Sequence, residues 1–446
     1  MESSKPHAVL LASPGLGHLI PVLELAKRLV THHAFHVTVF AIAASASPAE
    51  TQLLRSATSS KLLHVVELPP VNISGLVDAD AAVFTRIAVM MREVIPNFRA
   101  AMFAMRVPPS LFIVDLFGFE ALEIAEFDMP KYTFVPTAAY ALALTLYVPT
   151  LDVEVKGEYV DRAEPLRLPG CKSVRPEDVI DPMMERRNQQ YLEYIRMAIG
   201  IPKADGILLN TWEDLEPTTL RALRDHKAMA QFAKVPIYPI GPLIRSVGQE
   251  EVRTELLDWL DLQPIDSVIY VSFGSGGTYS SEQLAELAST HQITCQRVPD
   301  PDQKRGNGGA TMGTTSGDPQ PSICWRILSH CGWGSTLDSI LNGVPMVAWP
   351  MYAEQRLNAT MLTEELGIAV RPEVLPTKRV VRKEEIEKMV RDVIEEKELR
   401  ERVKEVMKTG ERALRKGGSS YNSLSQVASA ATSFHKEYRS PVKHCP

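Results

Sequence analysis

The sequence predicts an α/β protein of mostly parallel sheets, folded as two successive domains. Three observations carry this. A short apolar run, a glycine turn and a helical pattern follow one another at Ala8–Val30. The same succession recurs at Ser267–Ala288, and a proline-rich break, Val235–Pro242, separates the two. Strands alternating with helices require parallel crossovers, and a proline-rich run cannot serve as an interior strand.

Taken in order, Ala8–Ser13 reads as a buried strand ahead of the turn Pro14-Gly15-Leu16-Gly17, and Leu19–Val30 as the helix after it. His36–Ile42, Leu111–Asp115, Lys131–Val135 and Gly206–Leu209 read as further strands, with Gly118–Glu126 continuing as a helix. Residues 1–243 form the first domain, 244–253 a polar linker, and 254–446 the second domain. There Ser267–Phe273 is a strand, Gly274-Ser275-Gly276-Gly277 its turn and Ser281–Ala288 its helix. Ile327–Ser329 enters a turn, Gly332–Ser335 opens a helix ending near Asn342-Gly343, and Val344–Ala348 is the next strand. Lys383–Val406 and Lys408–Leu414 carry helical periodicity with i,i+4 charge pairs, the pattern of a solvated helix face. The end beyond Tyr438 reads as loose.

One stretch breaks the pattern. Ser289–Arg326 holds five glycines and four prolines, few apolar residues and no periodicity. A parallel crossover demands a helix and another strand at this point, and a long structureless loop inside a compact domain counts against normal local structure. The second domain is therefore expected to be incomplete.

Composition narrows the function classes. Of 446 residues, 45% are apolar and 23% charged, with a net charge of −6. Two cores are affordable, and no basic cluster points to nucleic acid. The five cysteines are odd in number and lack CxxC spacing, which argues against a disulfide framework or zinc site and for a reducing, cytoplasmic compartment. The N-terminal apolar run is too short for a signal peptide. No stretch reaches the roughly eighteen apolar residues of a membrane span.

Two residues carry the first chemistry. His18 follows the glycine turn at the carboxyl end of a strand, the edge where open α/β sheets bind ligands. A histidine there can take a proton from a bound hydroxyl, though helix capping or packing would also place one there. Asp115 ends another strand, and a carboxylate on one imidazole nitrogen fixes the tautomer. The pair has no serine or cysteine nucleophile assigned to it, which suggests a base acting on the substrate's own hydroxyl. Phe117, Phe119 and Tyr140, with Gly17, lie in stretches able to line an acceptor pocket; ordinary core packing accounts for the aromatic three as readily.

The second constellation runs from His330-Cys-Gly-Trp333-Gly334-Ser335-Thr-Leu-Asp338 to Tyr352-Ala-Glu354-Gln355. Exposed N–H groups at the helix start, with the helix dipole, suit phosphate oxygens. His330 and Ser335 add side-chain groups there. Asp338, one turn on, suits ribose hydroxyls, and Glu354-Gln355 suit those of a sugar.

The run from His330 to Gln355 closely resembles the second half of the signature of plant UDP-glycosyltransferases. Ser13-Pro-Gly-Leu-Gly-His18, Asn210-Thr-Trp-Glu-Asp-Leu-Glu216, Pro239-Ile-Gly-Pro242 and Val271-Ser-Phe-Gly-Ser-Gly-Gly277 resemble other blocks of that family. The resemblance covers residues 5–288 and 327–435 and is strongest to the hydroquinone and phenol glucosyltransferases. It implies the GT-B fold of two facing Rossmann-like domains, with the acceptor held by the first and the UDP-sugar by the second. It further implies an inverting transfer of glucose from UDP-glucose as co-substrate to a small phenolic hydroxyl, with no metal, by a monomer. His18 would be general base and Asp115 its partner; Ser275, His330, Ser335 and backbone N–H groups, with Gly334 in the family's asparagine position, would face the diphosphate. Trp333, Glu354 and Gln355 would hold the glucose, Asp338 the ribose, and Tyr352 would lie among these donor-binding residues.

The sequence departs from the family where the signature should begin. Family spacing puts Met312 and Thr315 where a Trp and a Gln should meet the uracil, and Trp325 is off that position. The preceding segment is several tens of residues short. A misjoined exon, frameshift or pseudogene explains a clean resumption at Ile327, and the alternative to an active transferase is a family member that cannot hold UDP-glucose. A nicotinamide oxidoreductase fits poorly, because Pro14–Gly17 is no full GxGxxG and no acid ends the second strand.

Overall fold

Continuous apolar runs bounded by turn residues become strands here, because parallel strands are buried on both faces. The computed structural model describes residues 5–42, 48–57, 61–124, 128–225, 227–245, 262, 268–274, 277–290 and 324–439. The chain divides into two units. One comprises Met1–Pro176, Pro182–Leu243 and Arg412–Pro446; the other comprises Glu177–Asp181 and Ile244–Glu411.

The first unit is built on seven parallel strands: β1 His7–Leu11, β2 His36–Ile42, β3 Leu63–Leu68, β4 Leu111–Asp115, β5 Lys131–Val135, β6 Gly206–Leu209 and β7 Ile237–Pro239. Their order is β3-β2-β1-β4-β5-β6-β7. The proline-bearing β7 takes an edge, where its lost N–H costs no ladder bond. Helices connect the strands: α1 Leu16–His33, α2 Pro48–Ala57, α3 Val83–Glu93, α4 Ile95–Phe103, α5 Ala139–Glu154, α6 Gln189–Gly200, α7 Pro217–Arg224 and α8 Ala230–Ala233. The strand order reverses between β1 and β4, which pair directly with Leu11 opposite Val114. Connections leaving these two strands diverge and open a crevice at their carboxyl ends. His18 and Asp115 sit there.

The second unit has four parallel strands among the described residues: β8 Val268–Ser272, β9 Cys324–Ser329, β10 Met346–Ala348 and β11 Ala369–Val370, in the order β11-β10-β9-β8. Its helices are α9 Ser281–Ser289, α10 Trp333–Leu341, α11 Gln355–Thr360 and α12 Lys383–Glu395. The last two are α13 Lys397–Leu414, which runs across the unit boundary, and α14 Ser419–Arg439. Leu328, Val347, Trp349, Ile386, Val390 and Val393 form the unit's core. β9 and β10 are buried from Ile327 to Ser329 and throughout, whereas Ile269–Ser272 of β8, the edge strand among the described residues, are only half-buried.

Several elements differ from the sequence reading. The helix expected over Gly118–Glu126 is a 3-10 helix, Leu116–Glu123, capped by Asp115, whose carboxylate accepts from the Phe117 N–H. The late charged helix breaks at Glu396, between α12 and α13, not at residue 407. β9 begins at Cys324, three residues inside the stretch expected to be a loop. Of Ser289–Arg326, residues 291–323 lie outside the described residues, as do 246–253 of the linker, Ser275 and 440–446. Residues 412–446, placed by sequence with the second domain, group with the first unit, because α14 buries Leu424, Val427, Ala428 and Ala431 in the core around β1 and α1. Among the described residues no helix is long and apolar enough to cross a membrane.

Candidate active site

The turn after β1 sets His18. Gly15 adopts φ 103°, a conformation that favours glycine, and its N–H donates to Glu50 Oε1 at 2.7 Å. The His18 and Leu19 N–H groups both return to the Gly15 carbonyl, so α1 starts abruptly with His18 in its first turn. His18 Nδ1 lies 3.0 Å from Asp115 Oδ2, with the carboxylate side chain fully buried and the imidazole one-fifth exposed. Asp115 Oδ1 accepts the Ser13 hydroxyl and, at 3.4 Å, the Phe117 N–H. A carboxylate held from both sides fixes the imidazole with Nδ1–H toward Asp115, so Nε2 is the basic nitrogen.

The acceptor-side aromatics separate into two groups. The Phe117 ring meets His18 edge-on at 5.3 Å between centroids. Phe84 continues the step at 4.8 Å from Phe117, and Tyr194 at 6.0 Å from Phe84. Phe119 instead packs over Gly200, where a Cβ would come within 2.0 Å of its ring. Tyr140 is buried, and its hydroxyl donates to the carbonyls of Lys172 and Ser173 at 3.2 and 3.1 Å. Gly17 is exposed, with no heavy atom within 4 Å of where a Cβ would stand.

In the second unit, the turn after β9 carries His330, which is buried. Its N–H and its Nδ1 both approach the Ser272 carbonyl, at 3.2 and 3.3 Å. A carbonyl only accepts, so Nδ1 carries the proton. The Nε2 edge lies against Gly274 and Gly332, where added Cβ atoms would come within 2.6 and 2.5 Å. Burial pushes the His330 imidazole below its ordinary value, against a smaller upward effect of the Ser272 carbonyl. The same burial holds the Cys331 thiol up at about 12, out of any thiolate chemistry at neutral pH.

α10 starts at Trp333 after Gly332, and its first intrahelical bond runs from the Thr336 N–H to the Gly332 carbonyl. The N–H groups of Trp333, Gly334 and Ser335 precede that bond and point out of the helix start. Trp333 is buried; Gly334 is exposed, with open space around it. Burial alone raises the Asp338 carboxyl to about 6.

Tyr352, Glu354 and Gln355 lie at the start of α11. Gln355 Oε1 accepts from the N–H groups of Met351 and Tyr352 at 2.9 and 3.0 Å, so its amide NH2 is what it can offer a sugar. Asn358 joins this turn to the His330 turn, donating to the Cys331 carbonyl at 3.0 Å and to Glu354 at 3.4 Å. The His330 and Tyr352 rings lie 6.5 Å apart. Asp181 fixes the loop: it accepts the Ala353 N–H at 2.7 Å and pairs with Arg356. His330, Trp333, Tyr352, Glu354 and Gln355 thus occupy turns of one unit tied by direct hydrogen bonds, while Ser275 falls outside the described residues.

Sequence reasoning missed Ser13, Glu50, Phe84, Tyr194 and Asp181. Ser13 stood inside a recognised block, but its hydroxyl's partner lies 102 residues on. No sequence signal marks the others.

A protein-family model described as UDP-glucoronosyl and UDP-glucosyl transferase matches residues 324–409, starting at the first residue of β9. Anthocyanidin 3-O-glucosyltransferase 5 of Manihot esculenta is 51% identical over 476 aligned positions, covering 98% of each chain. The hydroquinone glucosyltransferase of Rauvolfia serpentina is 37% identical, covering 95% of this chain and 97% of its own. Among solved structures, TcCGT1 in complex with UDP is 45% identical, with a TM-score of 0.87 over 97% of this chain and 100% of that one. Phytolacca americana UGT2, complexed with UDP-2fluoro-glucose and pterostilbene, is 34% identical, with a TM-score of 0.83 over 96% and 100%. Ninety-eight per cent of 446 residues is about 437, so about 39 of the 476 positions aligned with the Manihot protein hold no residue of this chain. The two parallel-sheet α/β units, the identity across nearly the whole length and the fit to solved GT-B structures together make this chain a member of the plant UDP-glycosyltransferase family, and a glycosyltransferase.

Proposed function

We propose that this protein transfers glucose from UDP-glucose to the hydroxyl of a small phenolic acceptor, such as a hydroquinone-like phenol or a monolignol, with inversion at the anomeric carbon. The observation that carries this reading is the His18–Asp115 pair at the strand-order reversal, beside the aromatic step Phe117–Phe84. Ser13, the hydroxyl nearest the pair, donates to Asp115 and acts there as a support and not a nucleophile. The relatives named for an anthocyanidin and for hydroquinone support a phenolic acceptor.

In this mechanism the acceptor oxygen attacks the glucose anomeric carbon as Nε2 of His18 takes its proton. The bond from that carbon to the β-phosphate oxygen breaks and UDP leaves. Asp115 stabilises the imidazolium that forms. General-base help of this kind supplies roughly a 10²–10⁴-fold acceleration. On the donor side, the N–H groups at the start of α10, with Ser335, meet the diphosphate. Asp338 accepts from the ribose, and Trp333, Glu354 and the Gln355 amide hold the glucose, with Tyr352 closing that side. His330 donates to phosphate only once Nε2 is protonated, which a nearby diphosphate favours. Cysteine usage supports a cytoplasmic setting, and the reading needs one copy of the chain.

A second reading rests on the roughly 39 vacant alignment positions and the family match that begins only at residue 324. In it the protein binds a phenol but holds UDP-glucose too weakly for transfer. A thermal melt with and without UDP separates the two. UDP at a hundredfold its dissociation constant adds about 2.7 kcal/mol to the folded state, a shift of roughly 2–4 °C for a protein this large. A shift, together with hydroquinone-dependent release of UDP from UDP-glucose, supports transfer. A melt indifferent to UDP refutes it and leaves the second reading.

A further inference from the structure

A second polar constellation lies in the first unit, away from His18. Arg28 stands ten residues further along α1, about 15 Å along the axis at 1.5 Å per residue. A cavity of about 190 Å³ there is lined by Arg28, His32, His33, Ser420, Tyr421 and Leu424, among others. It is bounded on one side by the last turn of α1, which carries His32 and His33; burial, and then the neighbouring His32, hold the His33 imidazole below its ordinary value. On the other side it is bounded by the first turn of the 21-residue helix α14.

Four features of this cavity share one chemistry. α14's first intrahelical bond runs from the Asn422 N–H to the Gly418 carbonyl, so the N–H groups of Ser419, Ser420 and Tyr421 precede it and lack helical partners. Ser420 is 1% exposed, and its hydroxyl has no hydrogen-bond partner among the described residues. Nε2 of His33 is likewise buried without one. Arg28 makes no ion pair among the described residues; it donates only to the carbonyls of Ile240 and Pro242, at 3.1 and 2.5 Å. The closest acid along α1, Glu24, is paired with Lys27 at 2.6 Å.

Buried polar atoms are normally satisfied. An unpartnered hydroxyl beside a guanidinium with donors to spare, at a helix start, makes a donor-rich space lacking an acceptor, and the His33 Nε2 adds a further donor in its Nε2–H tautomer. Burial lowers the Arg28 guanidinium to about 10, a change opposed by Glu24, so it stays cationic at neutral pH. The volume corresponds to roughly six waters at ~30 Å³ each and falls below the ~300–1,000 Å³ of pockets that hold drug-sized ligands. A nucleotide does not fit.

We propose that this cavity binds one tetrahedral oxyanion of the phosphate class, either inorganic phosphate or the terminal group of a small phosphomonoester, at the junction of α1 and α14. Bound there, the anion would tie the C-terminal helix to the first helix of the unit.

The test is calorimetric titration of the full chain with inorganic phosphate at constant ionic strength, in saturating UDP so that any diphosphate site is filled. One saturable site is expected. Ser420→Ala removes a hydroxyl with no protein partner, so its melt without phosphate should match the parent while phosphate binds about tenfold more weakly. Arg28→Lys should weaken binding further, but it also loosens the carbonyls of Ile240 and Pro242, so Ser420→Ala decides. Repeating the titration with glycerol phosphate identifies the source: binding of both ligands points to a phosphomonoester terminus, and binding of phosphate alone to the free ion. No saturation beyond that seen with chloride, unchanged affinity in Ser420→Ala, or loss of binding in the presence of UDP overturns the proposal.

Discussion

Replacing Asp338 with asparagine should make the ligand-free protein more stable and its nucleotide binding weaker. Burial raises this carboxyl from an ordinary 3.8 to about 6, and among the described residues it accepts no hydrogen bond that would offset the cost. Its folded value lies above its unfolded one, so the fold holds the proton more tightly. The associated stability is fully present below pH ~4 and is lost as the pH rises through ~6. Two pH units correspond to about 3 kcal/mol; partial exposure screens the charge and brings the expected cost of ionisation to about 1–2 kcal/mol. Asparagine has the same shape and no charge, so Asp338→Asn should gain about that much at pH 8 and nothing at pH 4. With ligand the sign reverses: a charge-assisted bond to a ribose hydroxyl is worth about 1.5–3 kcal/mol, a ten- to hundredfold loss of affinity. Urea melts at pH 4, 6 and 8 read the first effect. Titration with uridine, which has no phosphate to titrate, reads the second. A stability difference independent of pH, or a variant less stable at pH 8, would refute the reasoning.

Three further substitutions probe the reaction. His18→Ala should reduce transfer at least about 100-fold while the UDP-induced melting shift persists; undiminished turnover removes the general-base role. Ser13→Ala takes one of three donors from Asp115, and about a tenfold fall in kcat with little change in acceptor KM is expected of a positioning residue. In the His18→Ala background the Ser13 change should then cost nothing more, and a further fall there would mean that Ser13 acts independently of the imidazole. Burial holds His330 neutral near pH 7, and a diphosphate at its Nε2 edge favours the protonated form, so UDP binding should take up part of a proton. Calorimetry in buffers of different ionisation heat counts that proton, and His330→Gln should lack it; equal proton counts in the two proteins sink the assignment.

What was legible in the sequence follows from how local each signal is. β2, β4, β5 and β6 were readable to the residue because a parallel strand is a short apolar run with turn residues at both ends. His18 was readable for the same reason: strand, glycine turn and helix start are contiguous. The residues proposed for the donor side, His330 to Gln355, could be grouped because one run of 26 residues carries them all. The charged α12 and α13 and the weakly patterned α14 show only that one face is apolar. Which core receives that face depends on contacts nearly 400 residues away, and α14 went to the first unit through Leu424 and Val427. The helix expected after β4 is a 3-10 helix that starts two residues earlier, at the Asp115 cap, and the side-chain pattern alone does not tell 3-10 from α. The aromatic step from His18 through Phe117 and Phe84 to Tyr194 draws on residues between 18 and 194, and no periodicity links them.

The departure at residues 289–326 bears unequally on the two ends of the donor. β8 and β9 pair in parallel register, Val271 with Leu328 and Ser272 with Ser329, although more than fifty residues separate them in the chain. That pairing brings the Ser272 carbonyl to His330, and Asn358 and Asp181 then fix the His330 and Gln355 turns. None of these contacts uses the intervening segment. The resemblance, by contrast, puts the uracil-facing Trp and Gln of the family signature where this chain has Met312 and Thr315, which lie outside the described residues. In the proposed donor site, diphosphate and sugar recognition would therefore rest on hydrogen bonds present here, while base recognition would lose a stacking surface worth roughly 1–3 kcal/mol. The expected signature is a donor site with reduced preference for uridine: ADP should shift the melt nearly as far as UDP. A shift with UDP and none with ADP would mean that residues outside those described restore the uracil contacts.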